Sequence, residues 1–268
     1  MTHTTSEYVK AAPAAPSGFF EVEAAGLAWL ADAEQAGGVP AVRVIDVRPG
    51  RVALRRLVPA RPTPLAALQF GARLAATHRS GAAWFGCPPA GWSGDGFIGT
   101  APLRHILAPD DPDGATWGRF YSRHRVLAYL DAAVAAGDLR GSGADAVAEV
   151  AARLAAGDPA MCGPPEQVAR LHGDLWSGNV VWTPSGAVLI DPAAHGGHRE
   201  SDLAMLALFG LPHLADVLAG YDASWPLAPG WRDRVPVHQL HPLLVHTVLF
   251  GAGYAAQAVA AARQCLAL

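Results

Sequence analysis

The chain has 268 residues, of which 51% are hydrophobic, with a mean hydropathy of +0.19 and a formal net charge of −3 at pH 7. This length can bury a large core in one domain or two lobes, and this composition excludes an intrinsically disordered protein. The weak negative charge provides no basic field, so we expect no nucleic-acid partner.

The first 59 residues have the pattern of a small mixed α/β segment. Hydrophobic alternation and turn residues predict a strand at residues 7–10, a helix at 19–36 and two further strands at 42–47 and 52–58. Three prolines then follow within six residues, at Pro59, Pro62 and Pro64. We therefore predict a hinge here, with an N-terminal lobe over residues 1–59 and a C-terminal lobe over residues 60–268.

The rest of the chain is predicted to be mainly helical. A helix is expected to start at Thr63-Pro64, with one apolar face made by Leu65, Leu68, Ala72 and Ala75. A long functional loop is predicted at residues 87–114, followed by two helices at 115–136 and 144–156. A β-hairpin is predicted at 180–190 and a mainly helical end at 202–268. Helix breaks are expected near Pro212 and Pro226.

The lack of a recognisable signal peptide and the cysteine pattern favour a cytoplasmic protein. Residues 1–6 do not have the basic and apolar regions of a signal peptide, and the stretch 243–262 is interrupted by polar residues and glycine. We expect that stretch to be a buried helix, so no membrane partner is predicted. Cys87, Cys162 and Cys265 are odd in number and far apart, which disfavours a disulfide framework or a structural zinc site.

Three polar residues bracket the predicted hairpin: Asp174, Asn179 and Asp191. Asp174 lies two residues after His172, and a tight loop plus a hairpin can bring all three residues to one edge. Each alone could be a turn residue. Together they fit phosphoryl transfer, in which Asp174 accepts the proton of the substrate hydroxyl while Asn179 and Asp191 hold Mg²⁺. We expect His172 to brace the loop rather than to act in catalysis.

Lysine usage adds a further candidate. Nineteen of the twenty basic residues are arginine, and Lys10 is the sole lysine. Biased coding can explain this ratio. A lysine ammonium is nevertheless a compact charge that suits a phosphate oxygen.

The segment from His172 to Asn179, which reads HGDLWSGN, resembles the catalytic loop of the fructosamine/ketosamine kinase family. Aminoglycoside and choline kinases share only its H-x-D and its downstream asparagine. Weaker similarities occur at residues 97–99, 117–121, 190–193, 199–205 and 240–246. The resemblance implies an α+β, protein-kinase-like fold with two lobes: a small, truncated, β-containing N-lobe and a large, mainly helical C-lobe.

The same resemblance implies roles for residues near the nucleotide. Lys10 would contact the phosphates of ATP, and Glu23 would pair with it, with Glu21 as the alternative partner. Trp176 would lie beside the acceptor, where it could stack on a sugar, or it could pack in the core.

Other residues are expected to support the site. Asp202 could cap the following helix or, as the resemblance implies, bond the backbone of the catalytic loop. Arg199 is expected to brace the metal loop rather than to contact substrate. His195 and His198 are expected in a loop, without a histidine metal site.

The pattern departs from the family before Lys10. Only nine residues precede it, none of them glycine, whereas two strands with a Gly-rich turn need roughly 12 to 15 residues. A start codon further upstream, a minimal clamp over ATP and a loss of catalysis are three competing explanations.

The resemblance thus implies an ATP-dependent phosphotransferase that uses Mg²⁺ and acts on a sugar hydroxyl of small or protein-bound ketosamines. The alternatives are an aminoglycoside or other small-molecule kinase and a non-catalytic, nucleotide-binding pseudokinase.

Overall fold

The computed structural model describes residues 6–268. The prediction that residues 1–6 are not a signal peptide therefore falls almost entirely outside the described residues. The strands are β1 (Glu7–Ala11), β2 (Val44–Arg48), β3 (Arg51–Arg55), β4 (Gly96–Ile98), β5 (Ala101–Leu103), β6 (Ala169–Leu171), β7 (Val180–Thr183), β8 (Gly186–Leu189) and β9 (His195–Gly197). The helices are α1 (Phe19–Asp32), α2 (Pro64–Arg79), α3 (Trp117–Phe120), α4 (Ala128–Ala136), α5 (Gly141–Ala155), α6 (Pro159–Cys162), α7 (Glu200–Leu208), α8 (Leu214–Ser224), α9 (Trp231–Phe250) and α10 (Ala255–Leu266).

The N-terminal lobe is a three-stranded antiparallel sheet in the order β1-β3-β2. Phe20 and Leu27 of α1 pack with Val52 and Leu54 of β3, because alternate residues of a strand face the same side. The three predicted strands and the helix are confirmed with shifted ends. The helix predicted to reach residue 36 becomes a 3-10 turn after Asp32.

Helix α2 begins where the sequence predicts. The hydroxyl of Thr63 accepts a hydrogen bond from the Ala66 N–H at 3.2 Å, and proline at the first helical position loses no bond. The predicted apolar face is wrong in its first half, because Leu65 and Leu68 are 64% and 42% exposed, whereas Ala75 is buried as predicted.

A different face of α2 is buried against α8. A Cβ on Gly71 of α2 or on Gly220 of α8 would collide with the backbone of the facing helix. The two glycines therefore permit a close approach of the helices, and Ala67 and Leu74, one turn to either side of Gly71, are buried with it.

The segment predicted as a long loop contains a β-hairpin. Strands β4 and β5 pair antiparallel around the two-residue turn Gly99-Thr100, with Gly99 at a φ of 55°. Three-residue strands are too short to give a clear alternating pattern. The helix predicted over 115–136 starts at Trp117 and includes a π-helical segment, Tyr121–Leu127.

The largest hydrophobic cluster joins the π-helical segment to α5, α9 and α10. Because Pro242 in α9 has no N–H, the carbonyl of His238 is free for another donor, and the Tyr121 hydroxyl donates to it at 2.9 Å. The stretch 243–262 is divided between α9 and α10, with a break at Gly251. Within residues 6–268 we find no helix that is long and apolar enough to cross a membrane.

Candidate active site

The loop between β6 and β7 carries Asp174 and Asn179, and Asp191 follows β8, so all three residues lie at one end of the β7–β8 hairpin. The Asn179 amide nitrogen donates to the Asp174 carboxylate at 3.0 Å and to the Asp174 carbonyl at 2.8 Å. It also lies 3.4 Å from the Asp191 carbonyl. One amide therefore ties the two loops together, as the spacing predicts.

Lys10 reaches the same site from β1. Its Nζ lies 2.7 Å from both carboxylate oxygens of Glu23 on α1 and 2.9 Å from Oδ1 of Asp191. The partner is therefore Glu23 and not Glu21. Burial lowers the pKa of Lys10, but the two carboxylates outweigh this effect and raise it above 10.5, so the ammonium stays charged.

Asp191 has a left-handed backbone, with a φ of 54°, which is uncommon for a residue other than glycine. Its neighbours hold this conformation: the Ile190 N–H donates to the Asn179 carbonyl at 3.1 Å, and His172 Nε2 donates to the Ile190 carbonyl at 2.8 Å. Backbone strain of this kind is found where a side chain must point in one direction. Here the side chain reaches Lys10.

Asp174 is set up to accept a proton. Burial raises the pKa of its carboxyl to about 6, and the nearby Asp191 and Asp202 add to the rise, while the hydrogen bond from Asn179 opposes it. Its Oδ2 accepts that bond, whereas Oδ1 accepts none from residues 6–268. A carboxylate with one free oxygen and a pKa near 6 has the properties of a general base.

The catalytic loop is braced from below by Asp202. Its carboxylate accepts hydrogen bonds from the N–H groups of His172 and Gly173, at 2.8 and 3.0 Å. His78 Nε2 lies 3.1 Å from the same carboxylate. Because α7 begins at Glu200, Asp202 does not cap that helix, and the alternative reading, a bond to the loop backbone, is the observed one.

His172 also braces the loop, as expected. Its Nδ1 accepts the Asp174 N–H at 3.2 Å, and burial lowers its pKa, which keeps the ring neutral. Arg199 instead forms two bonds of 2.6 Å to Glu166 and stacks 4.1 Å from the centre of the Trp225 ring, so its side-chain contacts are to segments other than the predicted metal loop.

The histidines differ in part from the prediction. His195 lies in strand β9, not in a loop, because β9 pairs with β6 just before the catalytic loop. His198 lies with Glu200 and His238 in a buried group whose donor atoms are within 4.8 Å of one another. His198 Nδ1 accepts the Glu200 N–H, so Nε2 carries the proton of the neutral ring, and Arg234 already binds both Glu200 oxygens. This group is therefore an ion-pair network and not a metal site.

A cavity of about 400 Å³ opens beside these groups. Trp176 lines it with 39% of its surface exposed, so core packing does not describe this side chain. The lining residues that lie outside the predicted site include Phe19, Phe97 and Thr100. The turn residues Gly99-Thr100 were the signal for the hairpin that brings two of them here.

A second cavity of about 220 Å³ adjoins the first at Asp191. It is lined by residues of both lobes, including Tyr8, Val42, Leu57 and Ile190. The backbone of Leu57 makes no hydrogen bond to the backbone of any other described residue. A flat apolar ring fits between such walls, with free backbone groups at its edge.

A family model described as Fructosamine kinase matches residues 1–268. The chain belongs to the fructosamine kinase family. A probable ketoamine kinase from Vibrio parahaemolyticus is 30% identical over 241 residues, which cover 89% of this chain and 77% of that protein.

Two other relatives of this fructosamine kinase family member align over less of their own length. A probable ketoamine kinase from Synechocystis is 34% identical over 200 residues, or 74% of this chain and 61% of that protein. One from Enterococcus faecium is 48% identical over 88 residues, or 32% of this chain and 31% of that protein. The chain therefore spans between about a third and three fifths of these two relatives.

Solved structures agree with the family assignment. A provisionally named fructosamine-3-kinase from Thermobifida fusca has a TM-score of 0.87 at 46% identity, over 98% of this chain and 86% of that one. A choline/ethanolamine kinase family protein from Mesorhizobium loti has a TM-score of 0.56 at 17% identity, over 98% and 82%. The second likeness shows the fold alone, which is protein-kinase-like and α+β.

Proposed function

We propose that this protein is an ATP-dependent phosphotransferase that phosphorylates a sugar hydroxyl of ketosamines. The observation that carries the proposal is the free oxygen of Asp174 beside Lys10, Asn179 and Asp191 in one cavity of a fructosamine kinase family member. Relatives named as probable ketoamine kinases support the choice of acceptor. Phosphorylation of a ketosamine would make the glycated amine unstable and release it.

The nucleotide would lie between the two lobes, whose boundary we place at residues 59 and 60. The adenine would enter the 220 Å³ cavity, and its polar edge would meet the free backbone of Leu57. The phosphates would extend past Asp191 towards Lys10, whose ammonium Glu23 holds in place at 2.7 Å.

The residues present fit Mg²⁺. Because the nitrogen of the Asn179 amide is used in bonds to Asp174, its oxygen is left to face a ligand. Lys10 binds only one carboxylate oxygen of Asp191, Oδ1, so Oδ2 is left for the ion. Amide and carboxylate oxygens are the donors that Mg²⁺ prefers. When bound, the ion would neutralise charge on the phosphates.

The acceptor would occupy the 400 Å³ cavity. There Asp174 Oδ1 would orient the acceptor hydroxyl and take its proton, and the Asn179 amide keeps the carboxylate pointing into the cavity. Trp176 would stack against the sugar with its exposed face. Asp202 holds the loop that carries Asp174, which fixes the position of the base.

The test is a substrate panel with purified protein, Mg²⁺ and ATP. We expect ³¹P NMR to show a new phosphate monoester with fructosyl- or ribulosyl-amines and none with choline or an aminoglycoside. Selective phosphorylation of an aminoglycoside would move the protein to another kinase group. Binding of ATP without turnover of any acceptor would indicate a pseudokinase.

A further inference from the structure

A small cavity of about 20 Å³ lies beneath the catalytic loop, apart from the two cavities of the active site. Gly173 and His195 line it on the side of the active site. Arg125 of the π-helical segment and His241 of α9 line it on the other side. A volume of this size holds one water molecule, provided that polar groups face it.

Arg125 is the unusual member of this group. Its side chain is 1% exposed, and its Nη1 donates to the carbonyls of Arg104 and His124 at 2.9 and 3.0 Å. The guanidinium stacks 4.6 Å from the centre of the Phe120 ring, but within residues 6–268 its buried Nε and Nη2 have no hydrogen-bond partner and no carboxylate oxygen lies within 4.0 Å of it. Leaving such donors unpaired costs on the order of 1–3 kcal/mol each. A partner for them is therefore required.

The facing histidines identify the chemistry of that partner. His195 Nδ1 donates to the Ala193 carbonyl at 2.9 Å, so Nε2 of the neutral ring is a hydrogen-bond acceptor. His241 Nε2 is also buried and has no hydrogen-bond partner in the described part of the chain. The ligand must accept from the guanidinium and donate to an imidazole nitrogen. A halide cannot donate, and a metal cation is repelled by Arg125, whereas water can do both.

We propose that this cavity holds one ordered water molecule, through which Arg125 positions His195 and the segment that follows Asp191. His195 fixes the Ala193 carbonyl, and this carbonyl lies so close to Gly173 that a Cβ there would collide with it. The water would thus hold the Asp191 segment against the catalytic loop. The inference rests on the proposed role of Asp191 as a metal ligand.

Diffraction tests the water without any reference to activity. A crystal structure at about 1.5 Å from a crystal grown in sodium bromide should show a water oxygen within hydrogen-bond distance of Arg125 and His195 Nε2. It should show no anomalous bromide peak in the cavity. An empty cavity, or a bromide ion in it, overturns the proposal.

Binding of a nucleotide analogue tests the positioning role. Arg125→Met removes the donors at similar volume, and His195→Asn keeps a donor near Ala193 but removes the acceptor for water. Both variants should weaken Mg²⁺-dependent binding of a non-hydrolysable ATP analogue by about tenfold by calorimetry, as outer-shell changes do. Binding without Mg²⁺ should stay unchanged.

The matched control is Val217→Ala, which removes two buried methyl groups from α8, in a hydrophobic cluster that contains no residue of the π-helical segment. It should lower the melting temperature and leave the Mg²⁺ dependence at wild-type values. If Arg125→Met and His195→Asn behave in the same way as this control, the positioning role is wrong. If the wild type itself binds no nucleotide, the proposed function fails, and the diffraction result still decides the water.

Discussion

Replacing Asp174 by asparagine should stabilise the protein while it sharply lowers turnover. Burial raises the pKa of this carboxyl from 3.8 to about 6, so the folded state disfavours the ionised form. A rise of about two in pKa corresponds to about 3 kcal/mol of lost stability at a pH above 6. Asp174 keeps partial exposure, and screening by solvent reduces this figure to about 1–2 kcal/mol.

The expected gain for Asp174→Asn at pH 8 is therefore about 2–8 °C in melting temperature. The gain should shrink as the pH falls from 6 towards 3.8, because the wild-type carboxyl is then protonated in the folded state and progressively in the unfolded state. Turnover should fall by about 10² to 10⁴. Differential scanning calorimetry at pH 4.5 and pH 8 measures the first effect, with the exposed Asp145→Asn as control. A variant that is less stable than wild type at pH 8, or a gain independent of pH, refutes the reasoning.

Three further substitutions test neighbouring groups. Lys10→Arg should raise the KM for ATP at least tenfold, because the planar guanidinium cannot keep the compact contacts to Glu23 and Asp191; an unchanged KM in steady-state kinetics would contradict this. Asp202→Asn should lower the unfolding free energy at pH 7 by about 3 kcal/mol in urea melts. Despite burial, hydrogen bonds lower the pKa of the Asp202 carboxyl, so the difference between variant and wild type should disappear as acid protonates that carboxyl. Trp176→Leu should raise the KM for the acceptor and leave that for ATP unchanged, and an equal rise in both would argue against stacking on the sugar.

The centre of the site was predictable because its parts are close in sequence. Asp174, Asn179 and Asp191 are separated by one loop and one hairpin, so local structure alone brings them together. The pairing of Lys10 with Glu23 was predictable only from the family resemblance, because local sequence patterns do not identify the carboxylate that the lysine reaches. The structure adds the bond from Lys10 to Asp191, across 181 positions.

Other features depend on packing between distant segments. The buried face of α2 is set by the match of Gly71 to Gly220, so hydrophobicity alone selected Leu65 and Leu68 wrongly. The inward direction of Arg125 depends on the π-helical segment, which has no simple sequence period. Sequence patterns report local periodicity, whereas these features are decided by the surface that each element meets.

A crystal structure with Mg²⁺ and a non-hydrolysable ATP analogue tests the central claim most directly. We predict an ion bound by the Asn179 amide oxygen and the Asp191 carboxylate, the terminal phosphate beside Lys10, and Asp174 Oδ1 open towards the acceptor cavity. An ion held elsewhere, or phosphates bound away from Lys10 and Asp191, would contradict the account.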